Sequence, residues 1–189
     1  MELIPIKLNI DKSLFKGGAK SGAKLKGIFE LEIWDKEEKL ISKAKGENIV
    51  TDEGLNHILN AVLHGATQIA TWYYVIYETD TAGASDMTYA VPVFTECTAY
   101  DEVTRPEYNE AESAAKSITN SANKATFTMN DTKTLYGAAL VGGGTDPNTK
   151  GDTAGGGTLL CAGKFDTAQP VVSGNICYGT YTITAADAG

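Results

Sequence analysis

The chain has 189 residues, of which 42% are hydrophobic and 21% charged, ordinary values for a folded protein and enough length for one domain with an appendage. Its formal net charge of −8 is unevenly spread: residues 1–26 hold six lysines (Lys7, Lys12, Lys16, Lys20, Lys24, Lys26) against Glu2 and Asp11, so residues 27–189 carry −12. An acidic body argues against nucleic-acid binding by that body, no run approaches the ~20 apolar residues of a membrane span, and MELIPIKLNIDK lacks the apolar stretch of a signal peptide.

In chain order, residues 1–26 read as an extended basic arm. Apolar side chains alternate at Ile4, Ile6, Leu8 and Ile10, and Leu14 and Phe15 precede a glycine-rich stretch carrying Lys16, Lys20 and Lys24. These residues are the expected partner-binding set. The lysines are spaced out and diluted with Gly and Ala, a pattern suited to an acidic protein surface rather than to nucleic acid or a membrane. Ordering such an arm costs ~1–2 kcal/mol per residue, so it needs a surface to lie on.

Residues 27–189 are expected to form an antiparallel β-sandwich that includes an N-terminal hairpin and one helix. Phe29, Leu31 and Ile33 alternate with Glu30 and Glu32, DKEEK makes a turn, and LISKAK returns as the second strand. Residues 51–64 read as an amphipathic helix. Thr51 caps it, Asp52 and Glu53 sit at the positive end of the dipole, and Val50 and Leu55 are placed for a hydrophobic staple. Leu55, Ile58, Leu59, Val62 and Leu63 form one stripe, expected to be buried against the strands, and Gly65 ends the helix.

Beyond it, ATWYYVIYE reads as a central strand. VPVFTECTAY is interrupted by Pro92, and DEVTRPEYNEAE is polar. KSITN, KATFTMN, TLYGAALVG, TLLCAGKF and NICYGTYTITA follow as strands. The longest loop, GGGTDPNTKGDTAGGG at 142–157, has seven glycines but neither a phosphate-binding Gly-Lys-Ser/Thr nor an EF-hand pattern; it reads as a flexible surface excursion.

No catalytic constellation is visible. There is no GxSxG, His57 and His64 lack helical metal-ligand spacing, and Cys97, Cys161 and Cys177 form no CxxC. The cysteines read as buried free thiols. The carboxylates of 101–112 read as a solvated face, and Arg105, the only arginine, as a residue pinning a loop through a carboxylate. The expectation is a non-enzymatic protein without cofactor or metal.

Five segments together carry a resemblance: GENIVTDEGLNHILNAVLHGATQIATWYY, FTECTAYDEVTRPEY, SITNSANKATFTMN, YGAALVGG and VSGNICYGTYTIT. They fit a pattern in which V-T-x-x-G-L-N leads to T-Q-I-x-T-W-Y, then T-x-Y-x-E-x-T-R-P, then S-G ending in T-Y-T-I. The matches fall at Val50 to Asn56, Thr67 to Tyr73, Thr98 to Pro106 and Ser173 to Ile183. Over roughly residues 47–185 the chain resembles small virion structural proteins of tailed bacteriophages. The resemblance implies a head decoration or cement protein, made in the host cytoplasm and carried on the outer surface of the capsid. There it would bind across subunits of the major capsid protein as a trimer or dimer. The alternative is a tail-associated fibre, baseplate or adhesin protein contacting the host surface, with Trp72, Tyr73, Tyr74 and Tyr100 packing on sugars.

Overall fold

The computed structural model describes residues 22–187. Within them lie β1 (Ala23–Trp34), β2 (Leu40–Val50), α1 (Asp52–Leu63), β3 (Trp72–Tyr77), β4 (Ser117–Thr119), β5 (Ala125–Thr128), β6 (Lys133–Gly142), β7 (Thr158–Val171) and β8 (Ile176–Asp187). The protein is mainly β, with one helix, and every strand pairing is antiparallel. The strands form one sheet in the order β3-β6-β7-β2-β1-β8-β4, with β5 also on β8.

The antiparallel strands follow one path that curls over its own core. β2 makes the bend: its residues from Leu40 to Glu47 pair with β1, then Asn48, Ile49 and Val50 pair with Gly163, Ala162 and Cys161 of β7. The β6–β7 ladder has register shifts between Leu135 and Gly137 and between Leu140 and Val141, irregularities of the kind that raise local twist. The alternation in β1 places Phe29, Leu31 and Ile33 in the core. Phe29 stacks on Tyr181 of β8 at 4.3 Å between ring centroids and meets Tyr74 of β3 edge-on at 5.5 Å, so the two ends of the sheet face each other across these rings.

β3 ends the strand order rather than standing in its middle, yet both of its faces are buried. Tyr74 and Ile76 enter the main core, while Val75 and Tyr77 enter a second cluster with Met87, Tyr89 and Phe94. This accounts for its continuous apolar run. Its outer edge is covered by irregular chain: Cys97 donates to Ile76 O, Tyr74 to Pro106 O and Tyr108 to Trp72 O. At the other end of the sheet, β4 pairs with Thr182–Thr184 and β5 with Ile176–Gly179. The side chain of Asn120 fills the gap, donating to Gly179 O at 3.1 Å and accepting from Tyr181 N at 2.8 Å.

The local helix signals hold. Thr51 caps α1 by accepting from Gly54 N at 2.9 Å, and Gly65 has φ +71°. The expected burial of the stripe does not hold. Gly54 is the buried residue of α1, and a Cβ there would lie 2.9 Å from Leu160 Cα of β7. The glycine sets the helix directly on strand backbone, which turns Ile58 inward. Leu55, Leu59 and Val62 lie about a third of a turn round the helix from that contact line, at ~100° per residue, and Leu63 farther still. They are 41%, 54%, 73% and 79% exposed for Leu55, Leu59, Val62 and Leu63. Val50 packs on the core instead of closing a buried staple.

Gly54→Ala is therefore expected to destabilise by ~2–4 kcal/mol, because the added methyl meets backbone that cannot yield. Leu59→Ala is expected to cost under ~1 kcal/mol, as for an exposed position. Urea denaturation of the two variants checks the order; equal losses would mean the helix is seated differently.

Candidate functional site: an apolar helix face

Of the expected contact set, Ile4, Ile6, Leu8, Ile10, Leu14, Phe15, Lys16 and Lys20 lie outside the described residues. Lys24 lies within them, exposed on β1. Residues 23–26, read from sequence as arm, belong to β1 and pair with Asp187, Ala186, Ala185 and Thr184 of β8. The described body thus begins one residue before Ala23. Beyond the Ile28–Glu47 pair the two strands part: residues 23–27 pair with β8, while Asn48, Ile49 and Val50 pair with β7 and lead into α1.

α1 is held by its first turn. The Glu53 carboxylate accepts from Tyr89 N at 2.9 Å and Leu159 N at 2.6 Å. Asp52 N donates to Ser85 O, and Thr51 N to Leu160 O. With its N-terminus fixed and Gly54 on β7, the helix presents its leucine stripe to solvent as a rigid ridge. Beside the ridge runs a groove of about 260 Å³ lined by Ile58, Ala61, Val62, Trp72 and Leu160, with His57 edge-on to Trp72 at 5.6 Å. His64 is exposed at the helix end. Sequence reasoning missed this surface because it took an apolar stripe to mean a buried one.

The segment 143–157 is tied down, contrary to the flexible excursion expected. Arg105 is buried and all five of its N–H groups are occupied. Nε and Nη2 donate to Glu96, Nη2 also to Gly151 O, and Nη1 to Tyr89 Oη and Pro147 O, all at 2.6–3.0 Å for the shortest contact of each kind. Glu96 also accepts from Gly151 N, Arg105 N donates to Asn148 O, and Asp152 accepts from Glu96 N. Desolvation works to lower the Arg105 pKa, but the hydrogen bonds and charge of Glu96 outweigh it and the pKa stands above its ordinary value. Arg105 does pin a loop through a carboxylate, as its sequence context suggests. Lys150 adds a second tie, over the Tyr100 ring at 4.1 Å.

A second surface feature lies at the β1–β2 turn. Trp34, Asp35, Glu38, Ile176 and Tyr178 line an open cleft of about 320 Å³. The indole of Trp34 donates to Glu32, which also receives Lys43 at 2.7 Å and Lys124 at 3.0 Å. The Lys43 hydrogen bond, opposed by desolvation and reinforced by Lys124 and Trp34, brings the Glu32 pKa down to about 2.

Cys97, Cys161 and Cys177 are buried and unbridged. Among the described residues no group of three or more His, Cys, Asp and Glu is placed to hold a metal ion, and no helix is long and apolar enough to cross a membrane. Comparison with family models and with curated proteins finds no match to this chain.

Removing Arg105 strands Glu96 without its counter-charge, so Arg105→Ala is expected to cost ~3–5 kcal/mol and to open the 143–157 loop to proteolysis before global unfolding; equal protease rates in the variant and wild type would refute that role. Glu32 has a lowered folded-state pKa, so its contribution is present above the ordinary value of 4.5 and is lost as pH falls toward about 2. Lys43→Met combined with Lys124→Met is expected to flatten stability against pH across that window, read by urea midpoints at each pH.

Proposed function

We propose that this chain is a non-enzymatic virion structural protein, a head decoration or cement protein that binds across neighbouring capsid subunits and stabilises the shell. The observation that carries the reading is the uncovered leucine ridge of α1. A rigid body that leaves four large apolar side chains on one helix face has a surface suited to a partner. Residues 1–26 add apolar alternation and positive charge to the chain. The motif resemblance in residues 47–185 supplies the biological setting, and a repeating lattice would multiply contacts that are weak singly. In this reading the partners are the major capsid protein and further copies of the chain.

The tail-associated alternative draws on the cleft between Trp34 and Tyr178, where half-buried aromatic rings stand beside Asp35 and Glu38. It gains nothing from Tyr74 and Tyr100, which are buried in the core and present no ring face to a sugar. Copy number separates the two readings: hundreds per virion for a head protein, a few dozen or fewer for a tail protein.

The test is re-decoration of purified phage heads stripped of the protein. Wild type is expected to rebind to saturation, and a variant lacking residues 1–21, which keeps β1 whole, to rebind at least ~10-fold more weakly with an unchanged melting temperature. Failure of the wild type to bind stripped heads would overturn the head reading.

A further inference from the structure

Residues 54–77 contain no Asp, Glu, Lys or Arg, although these make up 21% of the chain. The last six positions of that run are β3, which is buried beyond Tyr73. The rest are α1 and the loop after it, where Leu55, Asn56, Leu59, Asn60 and residues 62–68 are exposed. A solvated surface normally mixes charges of both signs. Depletion of charge around exposed apolar side chains is the compositional mark of an interface centre.

Charge and symmetry favour a second copy as the occupant. A net charge of −8 makes copies of the chain repel, and this face lets two of them meet with no like charges opposed. The acidic residues of α1, Asp52 and Glu53, are both in its first turn. A two-fold axis near Leu59 runs two copies of α1 antiparallel, which keeps the acidic turns at opposite ends of a helix pair ~18 Å long. Leu55, Leu59 and Leu63 form an i, i+4 row, a ridge of the kind that packs on another helix. The axis sets that row against itself reversed, with Leu55 towards Leu63 of the second copy.

Area agrees. At their exposures Leu55, Leu59, Val62 and Leu63 leave roughly 400 Å² uncovered per copy, so pairing removes about 800 Å² through them alone, and Asn56, Asn60 and Gln68 around them bring the total past the ~1,000 Å² of a specific interface. We propose that two copies of the chain pair through the Leu55–Leu59–Val62–Leu63 face of α1, antiparallel about a two-fold axis near Leu59. The ridge is then taken up by a further copy, one of the partners the head reading names. Pairing rests on the ridge alone: stripped heads could reject a dimer, and a monomer could coat them, so the two ideas fail separately.

The experiment uses the full chain in sedimentation equilibrium from ~1 to ~300 μM, a range that brackets the micromolar dissociation constant expected of an interface this small. Wild type is expected to pass from monomer to dimer across it. Leu59→Asp, at an exposed position, is expected to need at least ~10-fold more protein to pair, with an unchanged far-UV spectrum. A second measurement changes one side chain without adding charge. Leu59→Cys with a short bis-maleimide is expected to give product of dimer mass at least ~10-fold faster than Val103→Cys, at an 89% exposed position outside α1. The native thiols are buried, and burial pushes those of Cys161 and Cys177 up to about 12, so they do not compete. Wild type that stays monomeric throughout the range overturns the proposal, as do equal crosslinking rates at the two positions. A dimer that Leu59→Asp leaves intact also overturns it, and assigns the contact to another surface.

Discussion

The ion pair between Arg105 and Glu96 is the constraint on which one whole end of the molecule depends. Taking both charges out of water is costly, and the cost is offset only where every donor finds an acceptor. Here the guanidinium forks onto a carboxylate, a tyrosine hydroxyl and two main-chain carbonyls. Those acceptors come from three separate stretches of chain, at Tyr89, Glu96 and 147–151, none of them in a regular strand. With that centre set, the segment from Thr95 to Tyr108 is held along the open side of β3. An exposed, aromatic-rich strand edge would otherwise be a template for wrong pairing. The same centre gives the glycine-rich segment a single course despite its composition.

The seating of α1, which Tyr89 links to that centre, follows a different rule. Where α1 meets β7, a glycine brings helix and strand backbones together, and the helix is fixed by its cap and by Glu53 rather than by burying its leucines. The packing that holds the helix and the surface it offers are thus on different sides. A helix seated by its apolar stripe would have nothing left to present. One seated by a glycine and a first-turn carboxylate keeps its stripe for another purpose, at the cost of an exposed apolar patch that must be covered or partnered.

What was legible in the sequence was local. The cap at Thr51, the stop at Gly65, the hairpin turn with its Asp35 carboxylate accepting from Glu37 N and Lys39 N, and the alternation in β1 all depend on residues within a few positions of each other. What was not legible depended on distant backbone. The role of Gly54 depends on Leu160, far along the chain, lying beneath it. The order of 143–157 rests on main-chain carbonyls accepting from Arg105, and carbonyls have no residue code. The curl of the sheet rests on β2 changing partners at Asn48. Of the surface read as functional, the arm's composition and the helix's stripe were both visible, but not that the stripe faces outward.

The pairing of Ala23 with Asp187 has a practical corollary. The first and last paired residues of the described body are neighbours in one ladder, so the two ends of that body come out side by side. A reporter or affinity handle attached after β8 would stand against the start of β1. The exposed turn at 35–39, at the far end of the same hairpin, is the better place to insert such a cargo. By the same token, joining the two ends through a short bridge and reopening the chain at that turn would give a permuted protein with its sheet intact.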